Sequence, residues 1–248
     1  MWPYPKVFAH RGGGILAPEN TLAGVRCGLE YGFHAVEFDV MLSKDGVPVL
    51  MHDPEFGRTV KGQGSVAATL FSDLQAMDAG GWHSARFAGE AVPSYAEVVN
   101  FCRQNHIFMN VEIKPSPGYE EATGRIVAET TLALLADVSV TDEQHLPLFS
   151  SFSFPALMAA KHAAAAIPRG VLMDSVVSDW KAMLQEADAR ALHTNHRYLN
   201  GAQVAQIKDA GYGVFCYTVN DTERAHEILR WGVDAFCTDR IDLIPADF

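Results

Sequence analysis

The sequence predicts an α/β fold, a (β/α)8 TIM barrel with a small inserted subdomain after the second strand. Three observations carry this prediction. Strand-like and helix-like segments alternate about eight times. The chain has 248 residues, a length at which such a barrel closes by itself. One stretch breaks the rhythm and reads as an insertion. Hydrophobic residues make up 48% of the chain, ample for a core, and Gly and Pro are ordinary, so residues 1–248 read as one ordered domain.

In chain order, VFAH is the first strand, rich in branched and aromatic residues, and HRGGG follows it into the helix TLAGVRCGLEYG, capped by Asn20 or Thr21 and closed by Gly32. AVEFDVML is the second strand. SKDG then makes a hairpin turn, so VPVLMHD returns antiparallel to it. From Pro54 to about Gly89 the text is polar and weakly periodic, too long for an ordinary βα loop, and long loops in compact domains are usually functional. Beyond it the alternation resumes: helix SYAEVVNFCRQN, strand FMNVEIK, helix EATGRIVAETTLALLAD, strand LPLFSSF, helix FPALMAAKHAA and strand RGVLMD. SDWKAMLQEAD, ARALHTN, GAQVAQIKDAG, GVFCYTV, DTERAHEILRWG and DAFCTD complete it, with Gly211 and Gly232 ending the last two helices.

A formal net charge of -11 argues against duplex nucleic acid or an anionic membrane as the main partner, because both need a basic face. A small anion remains admissible if local positive charge or a metal holds it. The cysteines Cys27, Cys102, Cys216 and Cys237 lack metal or disulfide-framework spacing and read as reduced thiols. The opening MWPYPKVFAH lacks the apolar run of a signal peptide, and no apolar stretch is long enough for a membrane anchor, so the expected location is the cytoplasm. Homo-oligomerisation is left open.

In a barrel of this class the strand C-termini meet on one face, where the site lies. Here those ends read His10-Arg11, Glu37-Phe38-Asp39, Glu112-Ile113-Lys114, Ser151, Asn195, Thr218 and Asp239, and polar residues are expected there and nowhere deeper in the strands. Glu37 and Asp39 are two apart, as are Glu112 and Lys114, so each pair shares a strand face. Three close carboxylates raise each other's pKa, and a bound cation resolves the conflict. All-oxygen ligation by Glu37, Asp39 and Glu112 suits Mg2+ or Ca2+ rather than zinc. Ion pairing of these groups with Arg11 and Lys114 is the alternative. His10 and His52 each follow an apolar run and are the candidates for general acid-base work. The glycines after Arg11 would admit close backbone approach and offer N–H groups to an anion, or would simply turn the chain into the first helix.

At this point the text resembles the glycerophosphodiester phosphodiesterases. HRGGGILAPENTLAG is similar to their HRG…PENT opening, VEFDVMLSKDGVPVLMHDP to their ExDV…DG.PV..HD block, and NVEIK to their E.K strand end. GRTVKGQGSV and LQAMDAGGWHSARFAGEAVPSYAEVV resemble the family's insertion, and SSFSFPAL, YTVND and GVDAFCTDRIDL its later segments. The resemblance implies metal-dependent hydrolysis of glycerophosphodiesters to sn-glycerol 3-phosphate and an alcohol. Carried over by position, Glu37, Asp39 and Glu112 hold one divalent cation, His10 and His52 are the acid-base pair, and Arg11 and Lys114 hold the phosphate oxygens. It also implies attack by the substrate's own glycerol hydroxyl, giving a cyclic phosphate that water opens. Two positions depart from the pattern: Tyr217 stands where Trp is usual, still able to wall the glycerol, and Ile241 where Pro is usual, beyond the site.

Competing readings are a lysophospholipase D, which needs an apolar groove for an acyl chain, and a silent barrel that only binds glycerophosphodiesters. No basic amphipathic helix supports the first, and every motif residue being present opposes the second. The phosphoinositide-specific phospholipases C share the two-histidine logic but not this text.

Overall fold

The computed structural model describes residues 2–139 and 145–248. Among them, eight parallel strands form the barrel: β1 (Val7–His10), β2 (Ala35–Leu42), β4 (Phe108–Ile113), β5 (Leu148–Ser151), β6 (Arg169–Met173), β7 (Ala191–Asn195), β8 (Gly213–Tyr217) and β9 (Ala235–Thr238). Pairing of β1 with both β2 and β9 closes the circle. The ninth strand, β3 (Pro48–Leu50), lies antiparallel on β2 after the SKDG turn.

Seven helices pack around the barrel: α1 (Leu22–Glu30), α3 (Tyr95–Gln104), α4 (Glu120–Leu134), α5 (Phe154–Ala163), α6 (Trp180–Glu186), α7 (Gly201–Asp209) and α8 (Thr222–Trp231). An additional short helix, α2 (Phe71–Gln75), lies between β3 and α3. Local chemistry sets their starts. Ser94 and Glu97 form a capping box on α3, Asn200 and Gln203 another on α7, and Thr21 rather than Asn20 caps α1 through the Gly24 N–H. Gly232 ends α8 in the left-handed conformation.

One end of the barrel is sealed. Phe8, Leu148 and Phe215 are buried there, and the N-terminal segment adds Tyr4, whose ring lies 4.7 Å from Phe108, and Trp2, 4.9 Å from Tyr4. A cavity in the barrel can therefore open only at the opposite end, where the strands terminate.

Residues 51–93 pack on a small core of their own, built from Met41, Val49, Met51, Val60, Val66, Leu74 and Val92. Polar ties join this segment to the β1–α1 region: Glu90 accepts from the Ala23 N–H at 2.8 Å, His83 meets the Ile15 carbonyl at 3.0 Å, and Arg58 donates to Glu19. The glycines after Arg11 also serve packing. A side chain on Gly14 would collide with the Asp239 backbone and one on Gly12 with α1, so the loop lies flat between α1 and β9.

All four cysteines are free. No helix among the described residues is long and apolar enough to cross a membrane.

Candidate active site

Strand parity brings the acidic residues together. Glu37, Asp39 and Glu112 are buried and inward-facing, and each offers an oxygen within 4.8 Å of the others. Burial and the neighbouring Asp39 charge push Glu37 well above the ordinary carboxylate range. The same two causes raise Glu112 to about 7. Burial opposes ionisation of Asp39 too, but the charges of Lys114 and Arg11 prevail and lower its pKa.

The cluster is thus short of positive charge, and its donors are all hard oxygens, so it could hold a divalent cation. The ion-pair alternative is realised only in part. Lys114 Nζ lies 3.3 Å from Asp39 and 3.7 Å from Glu112, and Arg11 Nε is 3.5 Å from Asp39, whereas Glu37 has neither side-chain cation and meets the Arg11 backbone N–H at 3.2 Å and His10 Nε2 at 3.7 Å.

Each histidine has a carboxylate behind it. His10 Nδ1 is 2.6 Å from Asp239 Oδ1, and His52 Nδ1 is 2.7 Å from Asp53 Oδ1. With Nδ1–H given to a carboxylate, Nε2 is the nitrogen left for proton exchange. Burial and the charges of Arg11 and Lys114 lower the His52 pKa against the opposing pull of Asp39, so its ring is neutral at neutral pH. Asp53 falls to about 2 against the cost of its burial, held there by hydrogen bonds from Arg58 and His52.

A network joins these parts. Arg58, from the segment after β3, donates to Asp53 at 2.7 Å and to both oxygens of Glu19 at 2.6 and 2.7 Å. Glu19 in turn accepts from Arg11 at 2.8 Å. Arg11 itself sits at φ 52°, a left-handed conformation that is costly for a residue with a side chain and that concentrates at functional sites. Asn20, also at positive φ, donates to Asp39 at 2.8 Å and accepts its backbone N–H at 3.0 Å.

The residues surround one cavity of about 260 Å3. His10, Arg11, Glu37, His52, Glu112 and Lys114 line one side, and Phe152, Leu172, Phe215 and Tyr217 the other. Tyr217 donates to the Met173 carbonyl at 3.2 Å and meets Phe152 edge-on at 5.7 Å. Ile241 is buried in the main core and does not line the cavity.

Sequence reasoning gave no site role to Glu19, Asp53 or Arg58, read Asn20 only as a candidate helix cap, and set Asp239 at a strand end without a role. Asp53 follows His52 directly and Asp239 ends a strand, so adjacency and position were signals for those two; for Arg58 the one signal was its place in GRTVKGQGSV, which resembles the family's insertion. The expectation that polar residues occur only at strand ends is corrected. Asn110, Ser150, Arg169 and His193 lie within strands and are buried. Arg169 closes the far end of β6, where its guanidinium satisfies the Ala187 and Ala165 carbonyls that no helix or ladder takes up.

A barrel with three carboxylates and two carboxylate-backed histidines at its open end holds the groups that acid-base and metal-assisted catalysis need, the equipment of an enzyme, and comparison with known proteins says of which class. The model of the glycerophosphoryl diester phosphodiesterase family matches residues 10–243, and the chain belongs to this family of enzymes. A phosphodiesterase from Oleispira antarctica, solved with the product sn-glycerol-3-phosphate, is 36% identical with a TM-score of 0.89 over 97% of this chain and 95% of that one. The glycerophosphodiester phosphodiesterase of Caldanaerobacter subterraneus subsp. tengcongensis is 30% identical over 94% of this chain and 93% of its own. The glycerophosphodiester phosphodiesterase structure from Agrobacterium tumefaciens is 27% identical with a TM-score of 0.76, over 96% and 98%.

Proposed function

We propose that this protein hydrolyses glycerophosphodiesters to sn-glycerol 3-phosphate and an alcohol, in a metal-dependent reaction with His10 and His52 as the acid-base pair. The observation that carries the proposal is one cavity bordered by both histidines, each oriented by its own carboxylate, and by two of the three clustered acids. Glu37, Asp39 and Glu112 would hold Mg2+ or Ca2+, which when bound supplies positive charge to the phosphoryl oxygens. Arg11 and Lys114, anchored against Glu19 and Asp39, add fixed positive charge for the same oxygens.

In the first step the glycerol 2-hydroxyl attacks phosphorus. One histidine Nε2 takes the hydroxyl proton, the new P–O bond forms, and the headgroup P–O bond breaks as the other histidine protonates the departing alcohol. In the second step water adds across the cyclic phosphate, one P–O bond re-opens to the 2-hydroxyl, and the proton traffic reverses. Phosphorus NMR on variants slowed in the second step should show the cyclic species; its complete absence counts against this route.

A lysolipid substrate is the second reading, and one observation favours it. Ile15, Tyr119, Phe152, Val177, Tyr198 and Leu243 are exposed large hydrophobic residues, all on segments that follow strand C-termini. Glycerol 3-phosphate release from glycerophosphoethanolamine and glycerophosphocholine, compared with lysophosphatidic acid release from lysophosphatidylcholine, decides between them: the first product alone upholds the proposal, the second alone overturns it. The four free cysteines support a reducing, cytoplasmic setting for the reaction in this reading.

A further inference from the structure

Below the charged rim lies a layer of the barrel that the proposed chemistry does not use. Asn110 is two residues before Glu112 on β4, and His193 and Phe215 are two residues before Asn195 and Tyr217 on β7 and β8. Each therefore sits about 6–7 Å deeper along its strand than the rim residues. Asn110, His193 and Phe215 all line the same cavity.

Several polar atoms of this layer have no hydrogen-bond partner among the described residues. Asn110 Oδ1 and both ring nitrogens of His193 are buried without a hydrogen bond, as is the neighbouring Ser150 Oγ. Nearly all buried polar atoms in folded proteins are paired, so the two unsatisfied side chains that face the cavity, Asn110 and His193, call for a partner within it. His193 is held as if to receive one. Its ring stacks on Phe215 at 4.6 Å between centroids and occupies space that a side chain on Gly170 would fill. Burial pushes its pKa down to about 3, so the ring is neutral and carries one donor and one acceptor.

We infer that Asn110 and His193 form a polar floor that receives the terminal hydroxyl of the substrate's glycerol moiety. The inference rests on the glycerophosphodiester reading above and adds residues that select the substrate. Arg11 and Lys114 fix the phosphate at the rim. The depth from rim to floor, about 6–7 Å along the strands, suits the reach from a phosphorus atom to the far hydroxyl of an extended glycerol phosphate, and that hydroxyl can donate to Asn110 Oδ1 while accepting from whichever nitrogen of His193 carries the proton. The aromatic plug beneath the floor excludes a longer group. Leu172 and Phe215 give the carbons between an apolar wall.

The test compares glycerophosphoethanolamine with 2-hydroxypropyl phosphoethanolamine, which keeps the attacking hydroxyl and lacks only the terminal one. A site built to hydrogen-bond a hydroxyl discriminates strongly against its loss, so the wild-type protein should prefer the glycerol diester at least ~30-fold in kcat/KM. His193→Phe, which retains the stack on Phe215, and Asn110→Leu should each shrink that preference to about threefold or less. A preference that survives in both variants, or equal losses on the two substrates, assigns the layer to packing or a trapped water and overturns the inference.

Calorimetry on the wild-type protein gives a readout independent of turnover and of variant folding: sn-glycerol 3-phosphate should bind at least ~10-fold more tightly than propane-1,2-diol 1-phosphate. Equal binding refutes the floor. If neither diester is hydrolysed, the reaction assignment fails, and the calorimetric comparison still decides the floor by itself.

Discussion

The two sides of the cavity are built on opposite principles. On β1, β2 and β4 every charged group has a protein partner: Asp239 behind His10, Asn20 on Asp39, Lys114 between Asp39 and Glu112. On β6, β7 and β8 the wall is Leu172, Phe215 and Tyr217, and the one titratable ring deep within it, His193, has no hydrogen-bond partner. The first side is preorganised, so its groups can stabilise developing charge without rearranging at the moment of reaction. The second is apolar with a few waiting polar atoms, the composition of a surface that recognises a small ligand. Damage to the first side should therefore appear in turnover and damage to the second in selectivity.

The largest expected effect separates the two sides most sharply. Replacing His10 or His52 by Ala should lower kcat by roughly 10^2 to 10^4 with the circular dichroism spectrum retained. Near-wild-type turnover in either variant removes that residue from the proton path. Glu112→Gln comes next, with metal affinity by calorimetry falling at least about tenfold and activity falling with it. Unchanged affinity means Glu112 is not a ligand.

Arg58→Ala probes the supporting network rather than the reacting groups. Loss of its bonds to Asp53 and Glu19 frees His52 and Arg11 to move, and a drop of about tenfold in kcat with KM little changed is expected. An effect confined to KM would make Arg58 a substrate-binding residue instead.

The smallest effect concerns stability and belongs to the second side. His193 titrates at about 3 when folded against 6.5 as its ordinary value. Between those limits the unfolded chain binds the extra proton, so its contribution is intact above pH 6.5 and is lost as pH falls toward 3, by about 1.4 kcal/mol per unit. Urea unfolding at pH 7.5 and 5.0 should show wild type losing about 2 kcal/mol more than His193→Phe over that interval. Parallel losses in the two proteins would mean that His193 is protonated when folded.

The barrel was legible because alternation, parity and turn chemistry act locally. VEFDVML alternates its acids onto one face whatever surrounds it, and SKDG turns the chain back by itself. The acid cluster was legible for the same reason, since residues two apart on neighbouring strands must converge inside a closed barrel. Arg58 was not. Its position depends on how residues 51–93 fold over their own core, and no short-range pattern encodes that docking. Asn20 and Thr21 both read as helix caps because the preference is local; Thr21 takes that place and leaves Asn20 for Asp39. His193 looked like ordinary strand text, because nothing in ALHTN reveals that its ring lies opposite a glycine and lacks a partner.

The central claim is metal-dependent release of sn-glycerol 3-phosphate, and the most direct measurement is that release from glycerophosphoethanolamine by the purified protein, after chelation and again after Mg2+ or Ca2+ is restored. The account predicts activity that disappears with chelator and returns with the divalent ion. Full activity in chelator would contradict the role given to Glu37, Asp39 and Glu112, and no release with metal bound and the fold intact would contradict the reaction itself.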